Sequence, residues 1–229
     1  MYTLCIANKN YSSWSLRPWV LMRSLRIDFE ELLIPFGDPA SVELFRRHSP
    51  TGKVPCLHHG DLRIWDSLAI VEYLAERHAG VWPAETAARA WARSATAEMH
   101  SGFQALRSQC SMSCGQRVVL RTRTAELETE LTRLRALWND GLARFGGPFL
   151  AGTLFTAVDA FFAPVAFRLQ TYGLALDATC DAYAERLRAL PEMREWYEAA
   201  LREPWRDLPH EREIEAVAAS IIDLRQSTG

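Results

Sequence analysis

A chain of 229 residues, 48% apolar and 24% charged, has the length for two domains and the composition of a soluble globular protein. Its formal net charge of -2 supplies no bulk pull toward nucleic acid or an anionic membrane surface. No apolar run nears the ~18 residues of a membrane span, Met1-Tyr2-Thr3-Leu4-Cys5 lacks the basic start of a secretory signal, and five cysteines without zinc-type spacing suit a reduced, cytoplasmic protein.

Tyr2 to Ala7 reads as a short buried strand and Asn8 to Ser13 as a polar loop. From Trp14 to Leu25 apolar residues return at helical spacing, with Pro18 expected in the first turn, where its missing N–H costs nothing. Phe29 to Ile34 is a second strand, closed by Pro35-Phe36-Gly37-Asp38-Pro39, and Ser41 to Arg47 has room for one or two helical turns. Val54 to His58 and Leu62 to Ile64 form a hairpin around His59-Gly60-Asp61. Ser67 to Arg77 is a helix with Leu68, Val71 and Leu74 on one face. The first 80 residues thus read β-α-β-α-β-β-α, one small mixed sheet with helices on its faces.

Gly80-Val81-Trp82-Pro83-Ala84 is the expected break, and everything after it reads as helix. One long helix is expected from Thr86 to Arg107 and another from Thr124 to Phe145, ended by Gly146-Gly147-Pro148. Thr156-Ala157-Val158-Asp159 is capping-box-like and opens a very apolar helix. Ala184 to Arg202 and Glu211 to Leu224 are the remaining helices. Arg117, Arg121 and Arg123 read as a solvated helix face, and Cys110 and Cys114 as neighbours on a helix. The spacing of the six histidines shows no metal-ligand grouping.

Three segments carry chemistry. The residue before a proline is pushed into extended geometry, so Val54-Pro55 reads either as a plain strand start or as a sheet edge. On such an edge its N–H and C=O pair with an extended peptide, and the Pro55 bond is a candidate for cis. Asp66-Ser67 reads either as a helix cap or as a seat for an amino-acid head group, with the helix N-terminus favouring the carboxylate and Asp66 the ammonium. Tyr11 to Arg17 lies at a strand-to-helix junction, where open α/β sheets bind ligands. A serine hydroxyl there either caps the helix or donates to a bound thiolate, which lowers the thiol's pKa from about 8.5.

Four motifs in order resemble the cytosolic glutathione transferases over essentially the whole chain: Ser12-Ser13-x-x-x-Arg17, Gly52-Lys53-Val54-Pro55, Asp66-Ser67-Leu68-Ala69-Ile70 with Tyr73-Leu74, and the Thr156-to-Asp159 cap that follows Gly152. The resemblance implies an α/β, thioredoxin-like domain over residues 1–80, a linker at 81–85 and an all-helical (all-α) domain over 86–229. It implies a homodimer, glutathione as co-substrate, and neither a metal nor a nucleic-acid or membrane partner. Val54 would pair through its backbone with the cysteinyl unit of glutathione, ahead of a cis Pro55. Asp66 and Ser67 would hold the γ-glutamyl amino and carboxylate groups, and Lys53 would lie near the glycyl carboxylate. Serine-type members of the family, the zeta and tau classes, place the working serine five residues before an arginine. That points to Ser12, with Ser13 as runner-up and Ser15 a distant third. The chain looks like a zeta-like bacterial member, but Trp14 stands where the zeta class has cysteine, against a maleylacetoacetate isomerase activity. The second domain would supply the electrophile pocket, from Phe103, Arg107 and Arg168 together with Trp14. His100 and Gln104 form a polar stripe beside them. The implied activity is conjugation of glutathione to small hydrophobic electrophiles. The rivals are glutathione-dependent isomerisation, peroxide reduction, and a non-catalytic binding protein of the same fold.

Overall fold

Tyr2, Leu4 and Ile6 alternate with Thr3 and Cys5 along β1 (Tyr2–Ile6), and that period of two decides which face each covers. In the computed structural model, which describes residues 1–225, β1 is followed by α1 (Ser13–Ser24), β2 (Phe29–Leu33) and α2 (Pro39–His48). Then come β3 (Cys56–His59), β4 (Leu62–Trp65) and α3 (Ser67–Ala75). The strand order is β2-β1-β3-β4. β1 and β2 are parallel (Leu4 opposite Glu31), and β3 runs antiparallel to both β1 and β4 (Leu57 opposite Leu4 and Ile64). Leu4, Ile6 and Leu57 pack with Leu16, Trp19 and Val20 of α1 and with Ile70, Val71 and Leu74 of α3. On the opposite face Ala7 and Ile34 meet Phe45 of α2. Each large apolar side chain so buried contributes about 1.5–3 kcal/mol.

This is the expected thioredoxin-like order, and a helical half follows it. Its elements are α4 (Thr86–Ser101), α5 (Gln104–Gln109), β5 (Gln116–Leu120), α6 (Ala125–Phe145), α7 (Ala157–Tyr172), α8 (Ala178–Ala189), α9 (Pro191–Arg202), α10 (Leu208–Val217) and β6 (Ala218–Asp223). α7 is its axis. It opens with the expected capping box of Thr156 and Asp159, is buried along almost its whole length, and packs against α1, α4 and α8. Among the described residues no helix is long and apolar enough to cross a membrane.

The structure departs from the sequence expectations at several places. α1 begins at Ser13, so Pro18 falls in its second turn, where it has no N–H to donate to the Trp14 carbonyl. The helix expected from Thr86 to Arg107 breaks at Phe103, whose φ of 59° is left-handed. Glu130 on α6 holds the break by accepting from the N–H groups of Ala105 (3.1 Å) and Leu106 (2.7 Å). The helix expected over Ala184 to Arg202 is two helices, because Pro191 cannot continue the ladder of α8. The helix expected over Glu211 to Leu224 stops at Val217, and its β-branched end becomes β6, paired with β5 from Gln116 opposite Asp223 to Leu120 opposite Ala218. The helical half therefore also carries a two-stranded antiparallel ribbon. Arg117 lies on that ribbon rather than on a helix face, and Cys110 and Cys114 lie at the end of α5 and in the loop beyond, both buried.

Candidate functional site

The loop from Asn8 to Ser12 leaves β1 at the centre of the sheet and turns into α1, and the second half of the chain holds it in place. Glu203, beyond α9, accepts from the backbone N–H groups of Lys9 (2.6 Å) and Asn10 (3.2 Å). Trp196 donates its indole N–H to the Lys9 carbonyl at 2.8 Å. The Asn10 side chain accepts from Gly115 N–H (2.8 Å) and donates to Ser113 (3.2 Å). These bonds satisfy a backbone that would otherwise be buried unpaired.

The hydroxyls on this loop differ in their partners. Ser12 is buried at the head of α1, and its Oγ lies 2.7 Å from Ser15 Oγ. Ser15, fully buried behind it, accepts from Ala7 N–H at 3.3 Å. Ser13 Oγ accepts from Arg168 Nη2 at 3.4 Å. Ser12, Ser13 and Trp14 line a cavity of about 470 Å³ together with Lys53, Val54, Arg107, Arg168 and His210. A second cleft of about 370 Å³ continues past Trp14, Lys53 and Val54 to Pro55, Asp66 and Ser67. The two form one groove bent around Trp14.

The Val54–Pro55 peptide bond is cis. Asp66, not Ser67, caps α3: its carboxylate accepts from Leu68 N–H at 2.8 Å, because the helix begins at Ser67 itself. Asp66 has φ 73°, a backbone state that costs a non-glycine residue roughly 1–3 kcal/mol and that clusters at ligand sites. Ser67 is fully buried and accepts from Arg17 at 3.4 Å.

Beneath Trp14 lies a concentration of cations. The Arg17 guanidinium sits 4.0 Å from the Trp14 ring centre and 4.7 Å from that of Phe161, and its Nε has no partner among the described residues. Burial, then the charges of Arg107 and Arg168, hold its pKa below the usual arginine range. Arg168 donates to the Cys110 carbonyl at 2.8 Å, and burial pulls its pKa down to about 10. Arg107 donates to the carbonyls of Met99 and His100 and lies 5.0 Å from the Trp14 ring centre. No ion pair to a carboxylate compensates these three among the described residues, so the groove favours a negatively charged guest. His100 is 3.4 Å from Asp66 and edge-on to Trp14, and burial lowers its pKa.

The structure thus brings together Ser12, Ser13, Trp14, Lys53, Val54, Arg107 and Arg168 on one cavity, with Pro55, Asp66 and Ser67 on its extension. Phe103 does not line it. Its left-handed backbone turns the ring into the core instead. Sequence reasoning missed Ser111, Met112 and His210 on the cavity wall and Glu203 behind the loop. Only the Asp207-to-His210 spacing at the head of α10 was a local signal. The fold also makes a cluster that the histidine spacing did not show: Cys5, His48 and His58, with ligand atoms within 4.8 Å of one another. There His58 already donates to the His48 carbonyl at 2.7 Å, and burial pushes the Cys5 thiol up to about 12.

Glu203 gives the loop a pH dependence. Burial raises its carboxyl to about 7 in the fold, despite the two N–H bonds and Lys9, against about 4.3 unfolded. The folded state therefore holds this proton more tightly, and the stability it contributes is lost as pH rises through about 7. The Tm difference between the wild type and Glu203→Gln should grow in favour of the wild type as pH falls from 8 to about 5. A difference that stays flat over that range would show that Glu203 is ionised throughout.

A family model described as the N-terminal domain of glutathione S-transferase matches residues 11–77, and one for the C-terminal domain matches residues 89–199. A curated dichloromethane dehalogenase from Methylophilus leisingeri is 41% identical over 54 residues, 23% of this chain and only 20% of that protein. Among solved structures, a glutathione transferase homolog from Burkholderia with bound glutathione is 24% identical, covers 87% of this chain and 97% of its own, and superposes with a TM-score of 0.64. A theta-class enzyme from Xanthomonas axonopodis with glutathione bound is 23% identical over 86% and 96% of the two chains, with a TM-score of 0.62. A tau-class enzyme from mango, Mangifera indica, is 19% identical over 95% and 98%, with a TM-score of 0.68. At these identities the superpositions speak to the fold.

Proposed function

The chain belongs to the glutathione S-transferase family, and on that premise we propose that it binds glutathione as the thiolate and conjugates it to small electrophiles. The observation that carries this reading is the bent groove itself. Its smaller arm has Val54, held ahead of the cis Pro55 and the start of β3, and the adjacent Asp66 and Ser67. Its wider arm has serine hydroxyls and uncompensated arginines. Glutathione matches the first arm by chemistry: Asp66 takes the γ-glutamyl ammonium, Ser67 its carboxylate, the Val54 backbone the cysteinyl unit, and Lys53 lies near the glycyl carboxylate. The sulfur then reaches the corner by Trp14, where Ser12 donates to it and Ser13, polarised by Arg168, is the second donor. Orientation and a lowered thiol pKa are what the protein contributes, since the nucleophile belongs to the bound tripeptide.

Arg107 and Arg168 in the wider arm favour electrophiles that carry or develop negative charge. Displacement of halide from carbon, the chemistry named for the Methylophilus relative, is one such reaction. The presence of Ser12, Lys53, Asp66 and Ser67 together argues against a non-catalytic binding protein. The division of labour between residues 1–80 and 86–229, joined through 81–85, belongs to the same proposal. So does a homodimer covering Leu62 and Trp65, which stand exposed on the β4 edge. A cytoplasmic location fits the five free, buried cysteines.

Titration calorimetry with glutathione tests the reading. The wild type should bind, and Asp66→Asn, which keeps the helix cap but loses the charge, should weaken Kd about tenfold. No heat at millimolar glutathione would sink the proposal.

A further inference from the structure

His210 lines the same cavity as the serine loop, and nothing in the glutathione reading uses it. Its ring is stacked between Tyr11 (centres 5.1 Å apart, 25° between planes) and Phe36 (5.5 Å, 24°), so its orientation is set. Nδ1 is bonded to the buried carboxylate of Asp207, which also accepts from the His210 backbone N–H at 3.3 Å. The carboxylate fixes the proton on Nδ1 and leaves Nε2 as the exchanging nitrogen. Nε2 has no partner among the described residues, and the side chain lines the cavity at 28% exposure. Glu211, the next residue of α10, is tied to Arg225 and Tyr11, which clamps this segment over the loop.

We propose that His210, held by Asp207, is a catalytic proton carrier in this cavity, acting in those reactions in which the carbon skeleton must gain a proton, as when the thiolate adds to a conjugated carbonyl compound. The inference rests on the glutathione reading and deepens it. The thiolate sulfur forms a bond to the β-carbon of the enone, and the C=C π pair moves to give an enolate, whose oxygen faces the guanidinium groups of Arg107 and Arg168. His210 Nε2 protonates the α-carbon. The thiol's proton goes to solvent on ionisation in either reaction, and Nε2 draws its proton back from solvent before delivering it, so the addition consumes only glutathione and enone. Substitution on an aryl halide needs no such step, because chloride leaves and the thiol proton goes to solvent.

The two reactions make the test. Turnover of a simple conjugated enone and of 1-chloro-2,4-dinitrobenzene is compared in wild type, His210→Gln and Asp207→Asn, the last keeping a side-chain cap on α10. The ratio of enone to aryl-halide turnover should fall on the order of a hundredfold in His210→Gln and by a smaller factor in Asp207→Asn. A solvent deuterium isotope effect on enone addition should disappear in His210→Gln. A ratio unchanged within about threefold, or a wild type that conjugates the aryl halide and leaves the enone untouched, would overturn the assignment. A wild type that binds no glutathione by calorimetry fails the parent reading instead, so the two failures are distinct.

Discussion

Replacing Ser12 by alanine should lower turnover on the order of a thousandfold while the Kd for glutathione moves only a few-fold. The hydrogen-bond direction around this hydroxyl is the reason. Ala7 N–H donates to Ser15 Oγ, and Ser15 in turn lies 2.7 Å from Ser12 Oγ. Either hydroxyl of that pair can be the donor, and with Ser15 donating the Ser12 O–H is left to donate to an anion in the cavity. A donor preorganised in this way acts most strongly where charge is concentrated, on the thiolate, and little on the neutral thiol. Affinity survives because Asp66, Ser67 and Val54 hold the rest of the tripeptide on the other arm of the groove. The pKa of the bound thiol, followed by thiolate absorbance, should rise toward the unperturbed value of about 8.5 in the variant. Ser15→Ala should give a smaller loss, by releasing Ser12 to turn inward. An equal loss in Ser13→Ala, with Ser12→Ala intact, would transfer the role to the hydroxyl that faces Arg168.

The parts of this site that could be read from sequence are those whose geometry is local. The Val54–Pro55 edge needs only two adjacent residues, and the Thr156–Asp159 box only four. The strand-loop-helix order around Ser12 follows from an apolar run, a polar run and a helical period. What could not be read depends on segments far apart in the chain. β5 and β6 pair Gln116 with Asp223, and neither has a stable conformation without the other, so the tail looked helical to its end. Phe103 breaks a helix only because Glu130 on another helix accepts from the next two free N–H groups. His210 reaches the cavity because Arg225 and Glu211 fasten the tail to Tyr11, a contact across some two hundred residues of sequence. Which of Asp66 and Ser67 caps α3 is decided by a single position, within the ordinary uncertainty of helix ends.

The largest loss of stability is expected at Asp159. Its Oδ1 accepts from Leu150 N–H (3.0 Å) and the Tyr183 hydroxyl (2.8 Å), and its Oδ2 from Thr156 N–H (3.0 Å). Asp159 is fully buried and its Oδ2 also accepts from the Thr156 hydroxyl (3.3 Å), so alanine leaves four buried donors without this acceptor. At about 1–3 kcal/mol for each donor, reduced for relaxation, Asp159→Ala should cost about 4 kcal/mol in urea unfolding. Thr156→Ala, which loses one side of the box, should cost about 1 kcal/mol. Asp159→Asn should fall between them, because its amide can satisfy only one oxygen's worth of donors and turns two N–H groups on the rest. Burial also raises the Asp159 carboxyl to about 6, so the cost of holding it ionised appears as pH rises toward and past that value. The gap between wild type and Asp159→Asn should therefore narrow from pH 5 to about 8. Because α7 carries Arg168 to the cavity and packs on α1, a loosened start should also reduce turnover at temperatures well below Tm. A loss under about 1 kcal/mol in Asp159→Ala would mean that water replaces the carboxylate, and that packing alone holds the axis of the helical half.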